Sequence, residues 1–354
     1  MKLFDKRTVQ VLFTGLAFAV ALLFLYSARR AIIAFLFAIF FAYLLEAPVS
    51  RFQGWLRGSR PAAIAVVYLL FVAGLVIVFS LLGPSITEET HKLAKQAPEW
   101  AGSVSSGQIA QQLGTRHGWS ASTVAQARDF LSQHREEMIT ATQNFALGAF
   151  RTLQNTWWLL LIPILAIFFL KDGNRFAQII VNSVEDPTNR RIVADAVERM
   201  HSMLGHFIRA QLLLSLLAMV VVTLVLRIMN VPYAIALGLA EGALEFIPVV
   251  GPVVGGAVIL GVAFLSDYPH LLWLFLFLLL WRGIQDYVSS PRIMGGSLEL
   301  HPLAVLFGVL AGGEVAGVIG VFLSIPVLAT IRIMWHIWQT YRQSARSAHA
   351  AETL

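Results

Sequence analysis

Long apolar runs, separated by short basic or turn-forming punctuation, set the pattern of this chain. Val9 to Ser27 is the first, ended by Arg29–Arg30. Ala31 to Ala47 is the second and stops at Pro48, and Pro61 to Gly83 is the third, closed by Gly83–Pro84. Runs of this length, coiled as helices, cross a hydrocarbon core of about 30 Å. Residues 1–84 are therefore read as three transmembrane spans.

The pattern changes at Ser85. Mixed charges, Gln and Ser dominate to about Thr142, with Pro98, Gly114 and Gly118 as breaks. The spacing of Val124, Ala127, Leu131, Met138 and Phe145 predicts amphipathic helices outside the bilayer, in an extracytoplasmic insert over 85–145. A fourth span follows at 146–172, holding Trp157, Trp158 and Pro163 and ended by Lys171 and Asp172. Residues 173–206 are polar but patterned. Asp186–Pro187 is a helix start, and Ile192, Val193, Ala196, Val197, Met200, Met203 and Leu204 make one stripe, so an amphipathic cytoplasmic linker helix is expected.

The core over 207–338 opens with a fifth span, Phe207 to Met229. Val231 to Ser266 is apolar but carries Pro248, Gly251, Pro252, Gly255 and Gly256 at its centre. Each arm, at about 16 residues, is short for a full crossing. Leu271 to Val288 makes another span. Leu300 to Ile337 is a second long run interrupted at Gly312–Gly313–Glu314, and 339–354 reads as a flexible cytoplasmic tail. The fold class expected is an all-α polytopic membrane protein of about eight spans, with two broken or hairpin segments in its last third.

Composition agrees: 57% of the 354 residues are hydrophobic and 13% charged, far from the balance of a soluble domain. The net charge of +6 comes from basic residues at the ends of apolar runs, so it does not imply nucleic acid. If each broken segment is a hairpin, Lys2, Lys6, Arg7, Arg51, Arg57, Arg60, Lys171, Arg175, Arg190, Arg191, Arg292, Arg342 and Arg346 fall on one side. That side, with both termini, should be cytoplasmic; Arg29–Arg30 goes against the rule. The start resembles a signal peptide superficially, but its apolar core is too long, and an uncleaved first helix is expected. There are no cysteines, hence no disulfide or thiolate metal site.

The informative residues are polar ones inside apolar runs. Glu241, Glu245, Arg282, Gln285 and Asp286 lie in such segments. A carboxylate at the bilayer centre costs about 2.5–3.5 kcal/mol, so these groups should face a wet cavity or a helix interface. Glu241 and Glu245 are four apart and share one helical face. They either pair structurally with Arg209, Arg227 or Arg282, or handle a cation or proton. The break from Pro248 to Gly256 would free backbone carbonyls before it and amides after it, as at transporter midplane sites, unless it is only a tight turn. The small-residue pairs Gly238–Gly242, Gly251–Gly255, Gly308–Gly312 and Gly313–Gly317 suit close helix packing. No HExxH, Walker-type loop or GxSxG is present, the histidines are scattered, and neither an enzyme nor a cofactor or metal site is expected. Trp335, Trp338 and Tyr341 read as an aromatic belt.

Glu245-Phe-Ile-Pro-Val-Val-Gly-Pro252 with Gly255–Gly256 resembles the signature of the autoinducer-2 exporter family, also called PerM-like permeases. So do Gln285-Asp-Tyr-Val-Ser-Ser-Pro-Arg-Ile-Met-Gly295, Leu300-His-Pro-Leu303, Gly312-Gly-Glu-Val-Ala-Gly317 to Pro326, and Phe207-Ile-Arg-Ala-Gln211. The resemblance implies a cytoplasmic (inner) membrane permease assembled as a homo-oligomer, a pentamer being one candidate. Members are linked to autoinducer-2 export and others to sodium–proton exchange. Two positions depart from the pattern: Glu241 is not expected to be acidic, and Asp286 stands where Glu is commoner.

The function expected is export of a small polar solute coupled to protons or sodium. A sodium/proton antiporter, a passive channel and a non-transporting membrane scaffold are the alternatives. Glu241, Glu245, Gln285, Asp286, Arg209 and Gln211 would line the pathway. Pro248, Gly251, Pro252, Gly255, Gly256, Gly312 and Gly313 would form the helix breaks.

Overall fold

A computed structural model describes residues 6–105, 120–133, 161–295 and 300–352 of the chain. Among them every regular element is helical. In chain order these are α1 (Lys6–Ser27), α2 (Arg29–Trp55), α3 (Arg60–Ser105), α4 (Ala121–Gln133), α5 (Leu161–Asn182) and α6 (Pro187–Ile228). They continue with α7 (Ala234–Glu245), α8 (Val250–Leu265), α9 (Leu271–Ile284), α10 (Ser290–Met294) and α11 (Pro302–Glu352). A π-helical turn, Gln285–Ser289, joins α9 to α10. Much of the expected insert (106–119 and 134–145) and the first part of the expected fourth span (146–160, with Trp157 and Trp158) lie outside the described residues.

Among the described residues five helices are long and apolar enough to cross a membrane; α1 and α8 are shorter apolar helices. Their outer faces remain apolar: Leu69 is 72% exposed and Phe79 67%. Patches of that extent suit lipid rather than water.

Two helices run on where the sequence suggests a stop. α2 passes through Pro48 to Trp55. Proline removes one hydrogen bond, at a cost of about 3 kcal/mol. Burial of Leu45 and Val49 against α3 and α5, on either side of it, offsets that loss. α3 likewise passes Gly83–Pro84, where the Thr87 hydroxyl donates to the Gly83 and Pro84 carbonyls at 2.8 and 2.9 Å. Its 46 residues reach about 69 Å, more than twice the hydrocarbon thickness, so the part beyond Gly83 must project from it.

α6 starts as its sequence suggests. The Asp186 carboxylate accepts from the Asn189 amide at 2.8 Å, with Pro187 in the first turn, and the polar linker and fifth span form one helix of 42 residues. α11 continues to Glu352, across most of the segment read as a tail.

Three apolar clusters hold the bundle. One joins α2, α3 and α5 through Ala42, Leu45, Val49, Ala63, Ile64, Val67, Ala166 and Leu170. Another joins α6, α7, α8 and α9 through Val222, Leu226, Leu237, Ile259, Ala263 and Leu274. The third links the two halves: Phe40 of α2, Phe207 and Ile208 of α6, and Phe322 and Ile325 of α11. Within the first cluster Arg60 ties three helices. It meets the Glu46 carboxylate at 2.8 Å and donates from Nε to the Leu170 carbonyl at 2.6 Å. Arg60→Ala removes both ties and should cost about 1–3 kcal/mol. The expected result is a lower melting temperature in detergent, with Arg60→Lys retaining part of it; unchanged melting in Arg60→Ala would contradict this role.

Candidate functional site

The site forms where α7 and α8 fold back on each other against α6. Close approach comes first. A Cβ on Gly242 would lie 2.7 Å from the Met219 Cα, and one on Gly238 would lie 2.6 Å from the Thr223 Cα, so both glycines let α7 lie directly on α6. α7 ends at Glu245 and α8 begins at Val250, so the turn is 246–249, earlier than the expected break at Pro248 to Gly256. Val249 takes φ 68, an outlying conformation for a β-branched residue. Pro252, Gly255 and Gly256 lie inside α8, and Gly251 packs on the Leu244 carbonyl.

The break frees none of the last four carbonyls of α7, contrary to the sequence expectation. Gln211 Nε2 donates to the Glu245 carbonyl at 2.6 Å, and the Ser215 hydroxyl donates to the Gly242 carbonyl. The Ala243 and Leu244 carbonyls accept from the Phe246 and Ile247 amides at 3.3 and 2.8 Å. On the far side, the Val250 and Gly251 amides reach the Pro248 and Ile247 carbonyls, and Pro252 has no amide hydrogen. The last four α7 carbonyls and the Val250 and Gly251 amides are occupied, which leaves the side chains around the turn as the groups to consider next.

Those side chains form an unequal set of charges. Arg282 of α9 lies 3.4 Å from Glu245 Oε1, donates from Nε to Asp286 Oδ2 at 2.8 Å, and contacts Asp286 Oδ1 through Nη2. Arg282 is thus shared by two carboxylates, and it, rather than Arg209 or Arg227, is the partner of Glu245. Glu241 is only 4% exposed and has no ion pair among the described residues. Its Oε2 has no hydrogen-bond partner there either and lies over Gly255, whose added Cβ would sit 1.5 Å away. Gln285, on the π turn, is 2% exposed with both amide atoms unpartnered among the described residues. Single π turns are frequent at functional sites.

Of the residues singled out from sequence, the fold joins Glu241, Glu245, Gln211 and Asp286 around the hairpin and Arg282, with Gln285 one residue before Asp286. Arg209 is not brought to them: its guanidinium lies back along α6 near Gly205 and the Tyr43 ring. The second break falls at Ala316–Gly317 (φ 60 at Gly317), not at Gly312–Gly313. Gly312 is instead a crossing point, where an added Cβ would be 2.3 Å from the Gly320 carbonyl oxygen. Glu314 is exposed near that turn and does not join the site.

Sequence reasoning misses Ser215 and the aromatic anchor. Ser215 follows Gln211 by four on α6, a spacing that could have revealed it. Phe246, next to Glu245, stacks on Phe322 of α11 with centroids 5.3 Å apart, and Phe322 stacks on Phe37 of α2 at 5.7 Å. Phe40 meets Phe322 edge-on at 5.3 Å. The hairpin tip is thereby fixed to both α2 and α11.

Among the described residues no three His, Asp or Glu side chains are placed to hold a metal ion. The carboxylates therefore do not form the multidentate oxygen cage that a divalent cation such as calcium needs. What the geometry offers is a buried acid without an ion pair among the described residues, Glu241, beside a charge-shared group. Gln211→Leu, which removes the donor to the Glu245 carbonyl, should lower stability by about 1–3 kcal/mol. Arg209→Leu, away from the turn, should have a smaller effect. Equal melting shifts for the two variants would contradict this placement.

Comparison with known proteins finds related sequences over most of the chain. The family described as AI-2E family transporter matches residues 12–340. The chain is 27% identical over 308 residues to the protein YrrI of Bacillus subtilis (strain 168), covering 84% of this chain and 83% of the relative. It is 25% identical over 310 residues to TqsA of Escherichia coli (strain K12), named an AI-2 transport protein, covering 86% of each. PerM of the same organism is 25% identical over 335 residues, covering 90% of this chain and 93% of the relative. With that match over nearly its whole length and apolar helices to cross a bilayer, the chain belongs to the AI-2E family of membrane transporters.

Proposed function

We propose that this protein is a secondary transporter that exports a small polar solute from the cytoplasm, driven by exchange of a proton or sodium ion at Glu241. The observation that carries the reading is the burial of Glu241 without an ion pair or a partner for Oε2, next to a group in which Arg282 already serves two other acids. A buried, unneutralised carboxylate in an apolar helix is costly unless a cation accompanies it. A proton or monovalent ion suits a single carboxylate better than a divalent one does.

The solute class is supported by family membership and by the name of the relative TqsA, an AI-2 transport protein. In the same reading the basic segments and both termini face the cytoplasm of an inner membrane, following the positive-inside rule. Gln211 and Asp286 hold the hairpin and Arg282 in place, and Gln285 contributes a polar surface to the pathway. The protein acts as a homo-oligomer. A sodium/proton antiporter is the second reading, and the same lone acid favours it, because exchange of two cations at one carboxylate needs no solute pocket.

Purified protein in liposomes separates these readings. With an imposed proton or sodium gradient, the wild type should accumulate or release a small polar solute in a gradient-dependent way. Glu241→Gln should reduce that dependence at least tenfold, about 1.4 kcal/mol or more in coupling. Cation exchange with no solute flux would select the antiporter. Flux with the same gradient dependence in wild type and Glu241→Gln would overturn the role of Glu241. Glu245→Gln should act differently: Arg282 keeps Asp286, so coupling persists and melting falls modestly, which thermal unfolding of the same preparations checks.

A further inference from the structure

α7, which carries both buried glutamates, has no cap of its own. Its N-cap position is Tyr233, at φ 59, with no capping side-chain bond, and its first turn is Ala234, Ile235 and Ala236 without an acidic residue. The first amides of such a helix need acceptors from elsewhere. One acceptor comes from 147 residues earlier in the chain: the Glu89 carboxylate of α3 accepts from the Ala236 amide at 2.8 Å. Two further ties join the same surfaces. Tyr233 donates its hydroxyl to Gln96 Oε1 at 2.6 Å, and Trp100 meets the Tyr233 ring edge-on at 6.4 Å. Leu93 and Trp100 also pack against the cluster formed by α6 to α9.

We propose that Glu89 is a positioning residue: the part of α3 beyond Gly83 caps α7 and so sets where Glu241 lies against Gly255. The lever is short. Ala236 precedes Glu241 by five residues, about 7.5 Å along the helix. The seat is tight, since Glu241 Oε2 lies where even one added carbon on Gly255 would collide. At its other end α7 is held by Gln211, Ser215 and the stacked Phe246, so a shift at the N-terminus is taken up by the segment between, which contains Glu241. Capping needs an acceptor rather than a charge, so glutamine at position 89 should retain most of it.

This inference rests on the cation reading of Glu241, and its test includes a measurement that does not. The chain has no cysteine, so Lys92→Cys with Val253→Cys, both at exposed positions, gives a spin-labelled pair reporting α3 against α8. Glu89→Ala should broaden or shift that distance and raise the cation KM in liposomes at least threefold, with maximal rate little changed. Glu89→Gln should restore both. Gln96→Ala, which removes the neighbouring tie, should move both measurements in the same direction and serves if Glu89→Ala folds poorly. An unchanged distance in Glu89→Ala and Gln96→Ala overturns the proposal, and so does a changed distance with an unchanged KM. A changed distance in a protein whose wild type shows no cation dependence overturns the cation reading while leaving Glu89 as the residue that positions α7.

Discussion

A helix that ends within an apolar bundle must find partners for its last carbonyls, and that constraint shapes the centre of this protein. Water is scarce there, and each unsatisfied group would cost several kcal/mol. α7 meets the requirement with two side chains of α6, Gln211 and Ser215, and two amides of its own turn. The glycines at 238 and 242 are needed for the same reason, because short side chains on α6 reach those carbonyls only if the helices nearly touch. Position 249 accepts an unfavourable φ of 68 to close the turn within four residues. Strain of this kind costs of order 1–3 kcal/mol and persists only where the surroundings fix it.

Closing the backbone transfers the chemistry to side chains. Free carbonyls would let the hairpin bind a cation through its backbone, with the carboxylates only setting the field. With the last four α7 carbonyls occupied, Glu241 stands out as a buried acid without an ion pair among the described residues. Glu245 and Asp286 divide Arg282 between them, and Glu241 has no ion pair among the described residues. Family membership says that the protein is a transporter. The proposed cation coupling rests on this buried acid without an ion pair.

The remaining architecture holds this hairpin from three directions. Phe322, between Phe246 and Phe37, fixes the tip to α2 and α11. The π turn at Gln285–Ser289 changes the helical register just after Arg282, at the point where Asp286 turns toward it. The projecting half of α3 reaches the opposite end of α7. A segment of α3 outside the hydrocarbon layer therefore contacts the same short helix that carries the acids.

The linear pattern of residues determined the helical class, most of the spans, the start of α6 at Asp186–Pro187, the presence of two reversals in the last third, and the shared face of Glu241 and Glu245. All of these depend on apolar periodicity, run length or local capping, which act over a few turns and can be read along the chain. Tertiary structure alone decided where the reversals fall, that Pro48 and Pro84 do not end their helices, and that Arg282 rather than Arg209 meets Glu245. It also supplied the partners of the α7 carbonyls and its cap. Those contacts join groups 34, 37 and 147 residues apart. Such separations leave no periodic trace, because each depends on how two rigid helices cross rather than on either helix by itself.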